Sequence, residues 1–256
     1  MVNFVLIAHE RSGSTLLWRS LADHRNICMY GELFHDEEAE RKRTFRAGDP
    51  ERNLFYGGRY YRDGENGAHF LRTTVFYDPE WKILRAIGFK LFYQQARKDL
   101  SAKSTWHYLL EDKQVHIVHL WRRNLLECYL SQQLAIRTNV WVRLRNGRAR
   151  RSLNLKSFSL DPKACEWYFR EITAYRRWAS LSFRSHPLLE IEYERDVCGR
   201  FQEMMSDIYN HLKVPRKRAR KFLEKQARYK PAEQLSNYEE LKEYFRHTPY
   251  EEFFVS

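Results

Sequence analysis

The residue types best suited to chemistry come within the first two dozen positions. In "FVLIAHERSGSTLLWRSLADH", Phe4 to His24, an apolar run passes through a short polar loop with one glycine and into an amphipathic stretch. The phosphate loop of nucleotide triphosphatases reads GxxxxGK[ST]. Laid on that template, the chain offers Ala8 in place of the first glycine, then Gly13, Ser14 where the lysine would stand, and Thr15. A loop of this kind still points backbone N–H groups at an anion, with the helix dipole behind them. It has no lysine to reach β- and γ-phosphates; its cation, Arg11, stands at the front. That arrangement suits the grip of a single phosphate whose terminal substituent is activated from another side. It disfavours a triphosphate kinase.

"RSGSTLL", followed later by "HLWRRNLLECYLS", resembles the sulfotransferases that use 3′-phosphoadenosine-5′-phosphosulfate (PAPS). The likeness is to their bacterial carbohydrate branch, which acts on nodulation factors and trehalose glycolipids. The resemblance implies that the first loop binds the 5′-phosphosulfate. Arg11 would neutralise the leaving phosphate, with Ser12, Gly13, Ser14 and Thr15 as the cradle. The family's proline before this cation is Glu10 here, which adds a negative charge near the site. The family's second signature is an arginine at a strand end with a serine eight residues on, matched by Arg123 and Ser131. Arg123 then sits near the helix start and Ser131 two turns along, roughly on one face. A guanidinium fork and a hydroxyl so placed can clamp one phosphate, the donor's 3′-phosphate. Arg122 is the adjacent alternative, and the spacing to the serine favours Arg123. "IEYERD", Ile191 to Asp196, is similar to the family's YEDL segment and implies Tyr193 beside the adenine, where stacking is favourable; an ordinary core tyrosine is the plainer account.

Sulfuryl transfer to a hydroxyl needs a group that takes the acceptor's proton. In the carbohydrate branch a glutamate shortly after the first helix does this. "HRNICMYGELFH" sets Glu32 there, after a glycine turn that would aim it back at the loop. His35 is the neighbouring competitor, and His9 lies in the loop itself. Lys90, in "GFKLFYQQ", falls at a predicted strand end, where α/β sites gather, and is expected to stabilise sulfonate charge. The expected reaction is an in-line displacement without a metal, leaving adenosine 3′,5′-bisphosphate.

The elements that must position these residues follow from period and punctuation. Strands are predicted at Val2 to Ala8, Asn26 to Met29, Arg85 to Phe92, Val115 to Leu120 and Leu188 to Tyr193. Helices are predicted at Ser14 to Asp23, Asp36 to Arg46, Asn124 to Ile136, Val197 to Leu212, Arg216 to Arg228 and Asn237 to Phe245. A further helix starts at Asp161-Pro162 and carries Trp167, Tyr168, Ile172, Tyr175 and Ala179 at core spacing. Alternating strands and helices predict an α/β fold, a P-loop-type central parallel sheet flanked by helices. With no repeat and no low-complexity linker, one domain over residues 1–256 is expected. Residues 36–80 would be a lid or insertion, Asp49 to His69 being a long loop, and residues 214–256 a C-terminal helical segment. The aromatic stretch Asn53 to Gly64 could stack on sugar rings, and the basic run Arg143 to Arg151 reads as a solvated loop.

The 256 residues carry a net charge of +12 and a pI near 9.5, which favours an anionic partner. Apolar residues make up 43 % of the chain, enough for a sizeable core and against disorder. Cys28, Cys128, Cys165 and Cys198 lie far apart, as reduced, buried thiols do in a cytosolic protein. No apolar leader or membrane-length run is apparent, so a cytoplasmic protein is expected. The expected partners are the nucleotide donor and a hydroxyl acceptor, a carbohydrate or glycolipid. Two rival readings stand beside this one. A degenerate P-loop kinase would need an acid after an apolar strand, where "VHIVHLWRRN" ends in arginines. A nucleic-acid-binding protein would account for the charge, but no zinc spacing, RNP pattern or helix-turn-helix signal accompanies it.

Overall fold

A run of apolar residues with no polar alternation must be covered on both faces, and the chain begins with one. In the computed structural model, which describes residues 1–35, 61, 65–77, 83–97, 101, 103–141, 157–222 and 230–254, this run is strand β1, Val2–Ala8. Phe4 through Ala8 are wholly buried. Helix α1 (Ser14–Ala22) and strand β2 (Ile27–Glu32) follow. A short helix α2 (Gly67–Phe70) continues as a π-helical turn, Leu71–Val75. Then come β3 (Ala86–Phe92), α3 (Thr105–Glu111) and β4 (His116–Trp121). Later elements are α4 (Leu125–Thr138), α5 (Pro162–Ser182) and β5 (Leu188–Glu192). A π-helical turn over Tyr193–Gly199 leads into α6 (Phe201–His211). The chain closes with α7 (Pro231–Gln234), α8 (Tyr238–Tyr244) and a 3-10 turn, Glu251–Phe254.

The described residues form two compact units, one of Met1–Trp121 with Trp178–Arg220, the other of Arg122–Arg177 with Lys221–Ser256. The first holds a five-stranded sheet in the order β2-β3-β1-β4-β5, with every pairing parallel. The expected α/β class with a central parallel sheet is what the chain adopts. β1 lies between β3 and β4, so its carboxyl end opens at the middle of the sheet, where parallel α/β folds place their ligands. The second unit is helical. Its core joins Leu126 and Leu130 of α4, Cys165, Phe169 and Ile172 of α5, Leu241 of α8, and Phe253 and Phe254 of the last turn.

Several expected elements shift, each for a local reason. β2 runs to Glu32 rather than stopping at Met29. On α5 the buried stripe is Cys165, Tyr168, Phe169 and Ile172, while Trp167 is 56 % exposed; Phe169, not Trp167, keeps the helical period. Helix α3 was not expected, although Ser104 caps it by accepting a bond from the His107 N–H at 3.1 Å. The expected helix over Arg216 to Arg228 is absent from its described part, residues 216–222. Carbonyls of this part are taken by other segments: Ala219 O by Gln202 at 2.9 Å and Arg220 O by the Ser20 hydroxyl at 2.8 Å. Cys198 is exposed, unlike the other three thiols. The expected helix Asp36 to Arg46 and the basic run Arg143 to Arg151 lie outside the described residues. So does the aromatic stretch Asn53 to Gly64 except Tyr61, whose ring centroid is 4.7 Å from that of Phe34.

Candidate active site

The loop between β1 and α1 turns through two left-handed residues, Arg11 at φ 63° and Gly13 at φ 93°. Ser12 locks the turn: it is fully buried and its hydroxyl donates to His9 O at 2.7 Å. Gly13 caps α1 through its carbonyl, which accepts from Leu16 N–H at 3.0 Å and Leu17 N–H at 3.3 Å. The amides of Ser14 and Thr15 begin the helix and have no intrahelical partner. No acidic residue lies in the first turn, so nothing on α1 competes with an anion there. Glu10 is tied back by Gln94, whose side-chain N–H donates to it at 3.1 Å.

Three of the expected residues converge beside this loop. β2 pairs with β3 in regular register until the ladder slips between Tyr30 and Glu32. The slip is a bulge at Gly31, and it sets Glu32 opposite Lys90. Glu32 is therefore the last residue of a strand, placed by a bulge and not by the expected glycine turn. Lys90 lies within β3, two positions before its end, and is only 3 % exposed. Its ammonium is 2.7 Å from Glu32 Oε1 and 3.5 Å from the Thr15 hydroxyl. The rings of Phe92 at 4.9 Å and Trp18 at 5.8 Å complete its surroundings. Burial pushes the Glu32 carboxyl up, but the Lys90 charge, the Lys90 hydrogen bond and a bond from Gln95 outweigh it and hold the group below its ordinary value. Glu32 is thus an ionised acceptor across the neutral range. His35 lies on the same turn, its N–H donating to Glu32 O at 3.4 Å.

Tyr193 reaches the loop from the start of the π-helical turn that follows β5. A β-carbon on Gly13 would come within 2.5 Å of the Tyr193 ring, so the ring rests on the glycine itself. The turn that carries Tyr193 is anchored at Asp196, a residue without a local sequence motif of its own. Asp196 is 1 % exposed. It accepts from the Glu192 N–H at 2.8 Å, from Arg195 at 2.8 Å through both oxygens and from Arg200 at 2.8 Å. Burial alone would raise its carboxyl, but the bonds from Arg195, Glu192 and Arg200 bring it down to about 2. Two arginines flanking an aspartate at i−1 and i+4 were the available signal.

Arg123 and Ser131 belong to the second unit. There Arg122 is buried and paired with Glu127, while Arg123 is exposed. Asn124 caps α4, accepting from the Glu127 N–H at 3.0 Å. Ser131 lies within α4 and is 7 % exposed. Gln95, the remaining group on Glu32, carried no signal in the sequence.

No protein-family model matches the chain. Among curated proteins it is similar to Nodulation protein H of Rhizobium tropici, 27% identical over 260 residues, a match that takes in 98% of this chain and 92% of that protein. Among solved structures it has a distant likeness to a sulfotransferase from Alicyclobacillus acidocaldarius, 14% identical with a TM-score of 0.45, covering 96% of this chain and 91% of that one. A likeness at that score carries no weight of its own.

Proposed function

We propose that this chain, a sulfotransferase of the bacterial kind to which its motifs and its nodulation-protein relative point, takes PAPS as donor and a carbohydrate or glycolipid hydroxyl as acceptor. The observation that carries the reading is the meeting of Thr15, Lys90 and Glu32 at the carboxyl end of the central strands. An anion-binding loop, a buried cation and an ionised carboxylate are the three parts that sulfuryl transfer to a hydroxyl requires.

The residues fit the donor's 5′ end. The amides at the start of α1 and the Arg11 guanidinium suit a phosphate ester, and no acidic residue lies in the first turn of that helix. The acceptor oxygen forms its bond to sulfur as the bond from sulfur to the bridging phosphate oxygen breaks. Glu32 takes the acceptor's proton, Lys90 offsets charge on the sulfonate oxygens, and Arg11 with the loop amides stabilises the phosphate that leaves. In the second unit, Arg123 and Ser131 are assigned to the 3′-phosphate. Tyr193 is assigned to the donor's nucleoside side.

Calorimetry with adenosine 3′,5′-bisphosphate tests the donor. The wild type should bind, and Arg11→Ala and Arg123→Ala should each weaken binding by roughly tenfold or more, the scale of one charge-assisted hydrogen bond. A wild type with no affinity for this nucleotide overturns the donor assignment. Glu32→Gln should bind the nucleotide normally yet turn over about 10²–10⁴ times more slowly; full turnover would remove Glu32 from the role.

A further inference from the structure

We infer that Gln95 is a positioning residue for Glu32, its side-chain amide holding the carboxylate oriented and acting on it only as a donor. The inference rests on the reading of Glu32 as proton acceptor. Gln95 follows β3 in a tight turn and is 4 % exposed. Its Nε2 donates to Glu32 Oε2 at 3.0 Å, and its Oε1 accepts from the Phe92 N–H at 3.1 Å. That second bond decides the first. Flipping the amide would set an NH2 against the Phe92 N–H and a carbonyl against a carboxylate, two repulsive contacts in place of two bonds.

The backbone of Gln95 is anchored as well. Its carbonyl accepts from the Trp106 indole at 2.8 Å, its N–H donates to Phe92 O at 3.1 Å, and the next residue, Ala96, is held at φ 55°. Glu32 therefore lies between two fixed donors, Lys90 on Oε1 and Gln95 on Oε2. Each oxygen keeps a second lone pair for an incoming proton. Among the described residues, the charged and titratable groups that act on Glu32 are Lys90 from β3 and His35 from the turn after β2. Lys90 brings a positive charge with its hydrogen bond, whereas the Gln95 amide donates without one. Gln95 thus fixes the carboxylate's rotation while adding nothing to the charge of the site.

Gln95→Glu is the discriminating variant. It keeps an oxygen for the Phe92 N–H but turns the donor facing Glu32 into an acceptor. Gln95→Met, of similar length, removes both bonds. The readouts are a carbon-13 titration of the Glu32 carboxyl, assigned by its disappearance in Glu32→Gln, the acid limb of kcat/KM, and affinity for adenosine 3′,5′-bisphosphate. We expect Glu32 to titrate at higher pH in Gln95→Glu, the acid limb to move up with it, and kcat to fall about tenfold, the scale of a misplaced catalytic group. Nucleotide affinity should stay as in the wild type. Unchanged Glu32 titration in Gln95→Glu overturns the inference, as does nucleotide affinity falling in parallel with kcat/KM. An active Glu32→Gln enzyme would overturn the base reading alone, because the titration judges Gln95 without reference to turnover.

Discussion

Gly13 is held by two constraints at once, a backbone at φ 93° and the Tyr193 ring occupying the space a β-carbon would need. Either would disfavour a side chain, and together they leave no relaxed alternative. Gly13→Ala should lower stability by about 1–3 kcal/mol, the cost of a left-handed non-glycine residue plus local overpacking. It should also weaken nucleotide binding, since the strain can relax only by moving the loop or the ring. Urea unfolding and calorimetry read the two effects separately; an Ala variant with wild-type stability would show that the Tyr193 contact is soft. Of the residues in this cluster, Gly13 and Thr15 were legible because their requirement is local to one turn. Lys90 was legible only as a cation near a strand end. Gln95 was not legible, because a glutamine's partner depends entirely on what the fold brings to it.

At the scale of elements, the turn after β5 depends on one carboxylate. Asp196 ties the Glu192 N–H at the end of the strand to Arg195 and Arg200 of the following turn. Its folded value of about 2 lies below the ordinary 3.8. Stability from this group is therefore present above the unfolded value and lost as pH falls through the folded one. Its arginine partners are exposed, at 59% for Arg195 and 41% for Arg200, so screening reduces the contribution to on the order of 1–2 kcal/mol. Asp196→Asn should lose that amount at pH 7, and its difference from wild type should shrink between pH 4 and 2 in denaturant titrations. A difference that persists unchanged at pH 2 would mean the charge is not what matters. The bulge at Gly31 is the other element-scale device. A glycine between Tyr30 and Glu32 signalled a change of direction, but a turn and a bulge share that signal, and only pairing with β3 distinguishes them.

Across the whole molecule, the net charge of +12 draws anions without choosing a site, while a pair of packed histidines makes stability depend on pH. His116, at the start of β4, and His211, at the end of α6, pack with ring centroids 4.8 Å apart. Burial, then the neighbouring His116, holds His211 down at about 4. Burial likewise lowers His116, with Lys213 adding to the effect. Groups depressed in this way stabilise the fold fully above the unfolded value of 6.5 and lose that stability as pH falls toward the folded one. Denaturant midpoints should therefore drop between pH 7 and 5, and His211→Asn should flatten the drop; an unaltered slope in the variant would acquit the pair.

What the sequence by itself determined is the parallel α/β pattern of the strands and the first loop. Strand β1, the glycine at the mouth of α1 and the cap at Asn124 each answer to neighbours within a few residues, so their chemistry is written locally. The tertiary structure alone decided which side chains meet. Lys90 faces Glu32 because a ladder slips by one residue beside β3, and Asp196 becomes a buried anchor because two arginines fold over it. Such pairings depend on register and burial, which arise between segments far apart in the chain and leave no period or spacing to read.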